Sequence, residues 1–185
     1  MATTLAKELG LEPGKWDADL AHSSVEFTVR HLMVSKVRGY FQKFDVEVEI
    51  AEDVTKSTVQ AHIDASSVTT RDENRDNHLR SADFFEIDKY PTIDFRSTEI
   101  RPNGENWVLA GELTIRGLTR PIELALEFNG VQPDAYGGVR AGFTATGELS
   151  RRDFGLEWNM ALEGGGVVVG DRVSIALEMQ LVHAK

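Results

Sequence analysis

The chain has 185 residues, 41% hydrophobic and 27% charged, a composition that suits a globular protein with a buried core and not a disordered chain. Lys plus Arg number 20 against 30 Asp plus Glu, and the resulting formal charge of −10 repels phosphate backbones and anionic lipid, so no nucleic-acid partner and no stable membrane insertion are expected. The absence of cysteine removes disulfides, thiolate nucleophiles and cysteine-ligated metals.

Residues 1–14 read as an extension ahead of one domain at 15–185. In the extension, Thr3 to Leu9 forms a short, weakly amphipathic helix, stopped at Gly10 and followed by the Pro13-Gly14 turn. Lys7, Glu8 and Lys15 interrupt any apolar run of the kind a signal peptide needs, so the expected location is cytoplasmic. No segment is long enough to cross a bilayer as a helix.

From Lys15 onward the hydrophobic period is two. Val25, Phe27 and Val29 alternate with polar neighbours, and Val59, Ala61, Ile63 and Ala65 do the same. Between them the apolar parity changes from odd (Val37, Gly39, Phe41) to even (Phe44, Val46, Val48, Ile50), which predicts a β-bulge near Gln42-Lys43. Thr70-Arg71-Asp72-Glu73 then matches a capping box and predicts a helix to about Arg80, ended before Tyr90-Pro91. Alternation resumes over Trp107–Ile115, Ile122–Phe128, Val139–Leu149 and Val173–Leu181, with turn residues between the runs. The fold class is all-β: about eight antiparallel strands with one short helix between strands and a short N-terminal helix. A closed barrel suits this better than a sandwich, because closure leaves no long edge.

The inward parity mixes large residues (Phe27, Phe41, Trp107, Phe143) with small ones (Gly39, Ala61, Gly111, Ala145, Gly147). Either the small residues leave an axial cavity or they fit the taper of a packed barrel; a cavity lined without charge implies an apolar guest.

Motifs for chemistry are sparse. Gly164-Gly165-Gly166 leads into a strand, not a helix, and reads as a flexible connection. Asp72, Asn74, Asp76 and Asp83 fall at calcium-loop spacing, but Asn77 stands at the glycine position and Arg71, Arg75 and Arg80 compete as cations. The five histidines lack metal-type spacing, so no metal or cofactor is expected. His31 extends the inward parity and is either an acid/base inside the cavity or a barrel-end histidine bonded to backbone. Arg151, Arg152 and Asp153 read as surface or inter-strand ion pairs.

Taken in order, these segments resemble the YceI-like family of polyisoprenoid-binding, lipocalin-like proteins. The resemblance runs from Trp16 to about Leu181. It is carried by Trp16, Asp19, His22-Ser23, His31, Lys36 to Phe41, Ser67 to Thr70, Arg75 to Phe85, Tyr90 to Ile93, Gly111 to Pro121, Arg151 with Asp153-Phe154-Gly155, and Val169-Gly170-Asp171. Leu20 stands where that family usually has proline. The resemblance implies a lipocalin-like barrel, a long isoprenoid chain threaded along its axis, and a homodimer. It supplies no catalytic set, so a non-enzymatic role is expected.

The function that follows is binding of a long-chain isoprenoid lipid, of polyprenyl or isoprenoid quinone type, for carriage, storage or sequestration. Each buried CH₂ contributes about 0.8 kcal/mol, so several isoprene units bind tightly without polar contacts. The ligand-contacting residues are expected to be Phe27, Val29, His31, Gly39, Phe41, Trp107, Leu109, Gly111, Leu124, Leu126, Phe143, Ala145, Phe154, Trp158, Met160, Val173 and Ile175. Two other classes stay open: an enzyme using His31 on an apolar substrate, and a protein-interaction module using the charged helix and the N-terminal segment, which either plugs a barrel end or lies on the surface.

Overall fold

The computed structural model describes residues 3–32, 34–160 and 168–184. Its strands are β1 (Gly14–Ala18), β2 (Ser24–His31), β3 (Ser35–Phe41), β4 (Phe44–Ile50), β5 (Thr58–Asp64), β6 (Val68–Thr69), β7 (Thr92–Asn103), β8 (Asn106–Ile115), β9 (Leu118–Pro133), β10 (Val139–Ser150) and β11 (Val169–His183). One α-helix, α1 (Glu73–Arg80), lies between β6 and β7. The order β1-β4-β5-β7-β8-β9-β10-β11, closed by β1 on β11, is an eight-stranded antiparallel barrel. Strand alternation builds it: along β4 and β8 every second side chain is buried, and the intervening ones face solvent.

Two of the eight strands are broken. β11 pairs through its C-terminal end with β1 and through its N-terminal half with β2, so β1 and β2 are successive pieces of one strand. Asp19 makes the break by capping the short 3₁₀ turn Leu20–His22, accepting from the Ala21 amide at 3.1 Å. β3 and β4 are the second broken strand. The change of parity at Gln42-Lys43 comes from a bend that ends one piece and begins the next, not from a bulge within a continuous strand. Ser67 holds this bend: its carbonyl accepts from the Gln42 amide at 3.2 Å and its hydroxyl from the Lys43 amide at 3.0 Å. Register shifts occur instead at Ser97/Glu99 and Gly142/Phe143.

The helix forms where the charged segment predicts one, but with a different cap. Asp72 accepts from the Arg75 amide at 3.0 Å, and Thr70 is drawn away, donating its hydroxyl to Asp76 at 2.6 Å. Asp76 is buried there, and Asp83 lies 2.9 Å from His78 Nε2, so these carboxylates serve local structure.

At the N-terminus a single 3₁₀ turn, Ala6–Leu9, ends at Gly10, whose φ of 78° is the left-handed conformation glycine adopts without strain. The Ala6 amide donates to Glu52 and the Val54 amide to Thr4, at 2.8 and 3.0 Å. These bonds bring Ala6 and Leu11 into a buried cluster with Val46, Val48, Ile50 and Val54. Of the two placements left open above, the segment therefore takes the one that covers the β4–β5 end of the barrel. The expected Gly164–Gly166 connection lies outside the described residues.

Candidate functional site

The barrel encloses a cavity of about 520 Å³, within the range of small-molecule sites. Leu9, Leu11, Ile50 and Val54 bound it at the N-terminal plug, and His31, Leu156, Trp158 and Val169 line its other end. Along β11 the lining runs from Val169 to Leu181. At ~3.3 Å per residue and a strand tilt of ~40°, that is a channel about 30 Å long. Phe95, Leu126, Phe143 and Ile175 belong to the lining and are only half-buried, because their inner faces meet open space and not other side chains.

Most residues expected at the ligand do line the cavity: Phe27, Val29, His31, Phe41, Trp107, Leu109, Leu124, Leu126, Phe143, Ala145, Trp158, Val173 and Ile175. Five expectations are corrected. Gly39 and Gly111 do not open room for a guest; each is covered by an aromatic ring. A β-carbon at 39 would fall 2.1 Å from Phe27, and one at 111 would fall 2.5 Å from Phe95. Gly147 is likewise filled, by Leu124 at 2.6 Å from its would-be β-carbon. Phe154 is buried in the core behind the lining, since it lies in the 3₁₀ turn Arg151–Phe154 and not on a strand. Met160 turns outward and is 59% exposed.

The alternation read from the sequence already put Leu177, Met179 and Leu181 on the inward face, and they complete the β11 side of the lining. Phe84 and Phe85 gave no such signal. They enter from the turns after α1, where Phe85 packs on Phe41 at 5.8 Å between ring centres and Phe84 on Trp158 at 5.5 Å.

The interior is not free of charge, contrary to the expectation of a chargeless lining. Arg75, His78 and Arg151 reach it, with the polar Thr70 and His31, from α1 with its approach, the turn after β10 and the β2–β3 hairpin. Arg75 is anchored by Thr70, donating Nε to the hydroxyl at 2.8 Å and Nη2 to the carbonyl at 2.9 Å. Its Nη1 has no protein acceptor among the described residues. His78 presents its ring edge-on to Trp158 at 4.6 Å.

Arg151 overturns the surface ion-pair reading. It is 2% exposed and donates to four backbone carbonyls: Gly170 at 2.8 Å, Leu156 at 2.6 Å, Trp158 at 2.9 Å and Val169 at 3.3 Å. Burial pushes its pKa down, while Asp171, 3.4 Å away, opposes that shift. The guanidinium fork thereby ties the turn carrying Trp158 to the start of β11. Arg152 pairs with Asp171 at 3.0 Å on the outside.

A closed antiparallel barrel with an elongated apolar cavity is the architecture of a lipocalin-like binding protein. The model of the YceI-like domain family matches residues 16–181, and the chain belongs to that family. A UPF0312 protein of Staphylococcus aureus (strain N315) is 43% identical over 157 residues, 84% of this chain and 90% of that one. Among solved structures, BcnA of Burkholderia cenocepacia superposes with a TM-score of 0.77 at 23% identity, over 89% of this chain and 99% of that one. A domain from Saccharophagus degradans described as polyisoprenoid binding gives a TM-score of 0.71 at 16% identity, over 91% of this chain and 98% of that one.

Proposed function

We propose that this protein binds a long-chain isoprenoid lipid, of polyprenyl or isoprenoid quinone type, inside the barrel for carriage, storage or sequestration. The observation that carries the reading is the continuous cavity from Leu9 and Leu11 to Trp158 and Val169, apolar along its length and polar chiefly at the α1 end. A channel about 30 Å long suits a chain better than a compact ligand, and burial of CH₂ groups at about 0.8 kcal/mol each supplies the affinity. The polyisoprenoid-binding description of the Saccharophagus domain, which shares this fold, points to the same ligand class. Because the polar lining gathers around Arg75, His78 and His31, the tail lies toward the plug and the head group toward α1.

A binding role fits this site better than catalysis. Four histidines have carboxylate partners, His22 with Asp19, His62 with Asp94, His78 with Asp83 and His183 with Glu12. His31, the candidate acid/base on the inward strand face, has no carboxylate partner among the described residues, and a general acid or base needs positioning; His78, which also lines the cavity, has such a partner in Asp83 but is packed against the rings of Phe84 and Trp158. Organic extraction of natively purified protein followed by mass spectrometry tests the proposal. A stoichiometric prenyl lipid is expected; a barrel that repeatedly yields no lipid overturns it.

A further inference from the structure

We propose that the β2–β3 hairpin is a docking lip for an anionic bilayer surface, through which the barrel exchanges its lipid with a membrane; the exchange rests on the carrier reading above. The hairpin borders the cavity, since Val29, His31 and Val37 belong to the lining. Beyond them the chain exposes apolar side chains where a hairpin tip is ordinarily polar. Val34 is 84% exposed and Leu32 is 39% exposed. Leu32 also has a φ of 53°, a left-handed conformation that costs a bulky residue energy and that glycine or asparagine adopts more readily. The outward-turned Met160 belongs to the same surface: the Leu32 amide donates to the Val168 carbonyl at 2.8 Å, and the Val168 amide to the Met160 carbonyl at 3.0 Å. Three exposed apolar residues thus lie on hydrogen-bonded neighbouring segments at one end of the barrel.

Below this tip the charge is positive, in a chain whose total is −10. Arg30 and Lys36 are directly opposite in the β2–β3 register, and Arg38 follows on the same outer face opposite Thr28. Like charges in register repel. None of the three has a carboxylate partner among the described residues, whereas elsewhere on the barrel Arg96 pairs with Glu112, Arg101 with Glu123 and Arg172 with Glu148. An apolar tip collared by unneutralised cations matches the layered chemistry of an anionic membrane: side chains enter the acyl boundary while Arg and Lys reach phosphate. Attraction of basic residues to such a surface falls off within a Debye length, so the charge at the lip, and not the total charge of the chain, governs docking; Asp171, the carboxylate beside Gly170, is itself paired with Arg151 and Arg152. Docking is therefore reversible.

Flotation of the full chain with vesicles of phosphatidylcholine, with and without phosphatidylglycerol, tests the lip. Binding only to the phosphatidylglycerol vesicles, weakened by salt, is expected. Val34→Asp, at a site too exposed to unfold the barrel, and the pair Arg30→Glu with Lys36→Glu should each lower the bound fraction by about tenfold or more. Equal binding by all variants, or no binding by the native chain, overturns the proposal. So does a dimer that Val34→Asp dissociates while vesicles are ignored, since that assigns the lip to a second copy of the chain. Lipid content, measured on the same preparations, separates the two readings. A lipid-loaded barrel that ignores vesicles removes the lip and keeps the carrier; an empty barrel that floats supports the lip and removes the carrier.

Discussion

The ring of Phe27 lies over Gly39, its partner across the β2–β3 pair, so closely that a β-carbon at position 39 would come within 2.1 Å of the ring. The glycine is a seat for an aromatic side chain that also forms part of the cavity wall. Gly39→Ala therefore either displaces Phe27 into the lumen or shifts the hairpin, and overpacking of this kind costs about 1–3 kcal/mol. Urea denaturation should show a lower midpoint with an unchanged slope. Adding Phe27→Leu should recover part of the loss, because the smaller side chain yields to the new methyl group; a strictly additive double variant would show that the two positions are not coupled.

Arg151 supplies the second prediction. Its four carbonyl acceptors come from the turn after β10 and the start of β11, so truncation leaves several buried acceptors unpaired at once. Arg151→Ala should destabilise the fold by about 3–5 kcal/mol, in the range seen when a buried charged group loses its hydrogen-bonded network. Arg151→Lys keeps the charge without the planar fork and should recover only part of that stability. A full recovery by lysine in thermal denaturation would argue that charge alone matters here.

The contrast between these two sites shows what the sequence could reveal. Period-two alternation located most of the barrel strands, β1 and β7 excepted, and named most of the cavity wall, because facing the lumen is a property of each strand alone. It could not say what lies over an inward glycine, since Phe27 above Gly39 and Phe95 above Gly111 depend on register between strands. Arg151 hid for a related reason. A guanidinium that binds backbone carbonyls leaves no partner residue type to find, so a neighbouring arginine and aspartate suggested surface pairs. Phe84 and Phe85 reach the cavity from turns, where no periodicity applies. Thr70 was assigned to a cap that Asp72 provides, because a hydroxyl near a helix start has more than one donor and acceptor to choose from.

Acid stability should depend on the break between β1 and β2. Asp19 is held by His22 at 2.9 Å, by Arg140 and by the Ala21 amide, and against the opposing effect of burial these partners, His22 foremost, keep its carboxyl below the ordinary 3.8. A carboxylate lowered in the folded state stabilises fully above its unfolded pKa and loses that contribution as pH falls through the folded value. The stability difference between the native chain and Asp19→Asn should thus be constant near neutrality and shrink below about pH 4. A difference that grows on acidification would reverse the sign assigned to this carboxyl.

Ala145 offers the most direct control of the lumen. It sits on β10 between Leu126 of β9 and Leu177 of β11, all three on the cavity wall, and its methyl group is almost fully enclosed by them. An indole at this position has no route except into the open interior, where it meets the far wall and divides the channel. Ala145→Trp should therefore fold, because the added surface fills existing space, and should lose most of its copurifying lipid. Shorter prenyl chains should survive the block better than longer ones, since the segment between residue 145 and the hairpin stays open. Mass spectrometry of lipid extracted from the two proteins checks this, with a fluorescence spectrum of the new tryptophan to show that it is buried. Equal lipid recovery from a folded variant with a buried indole would mean that the guest does not run along the axis of the barrel.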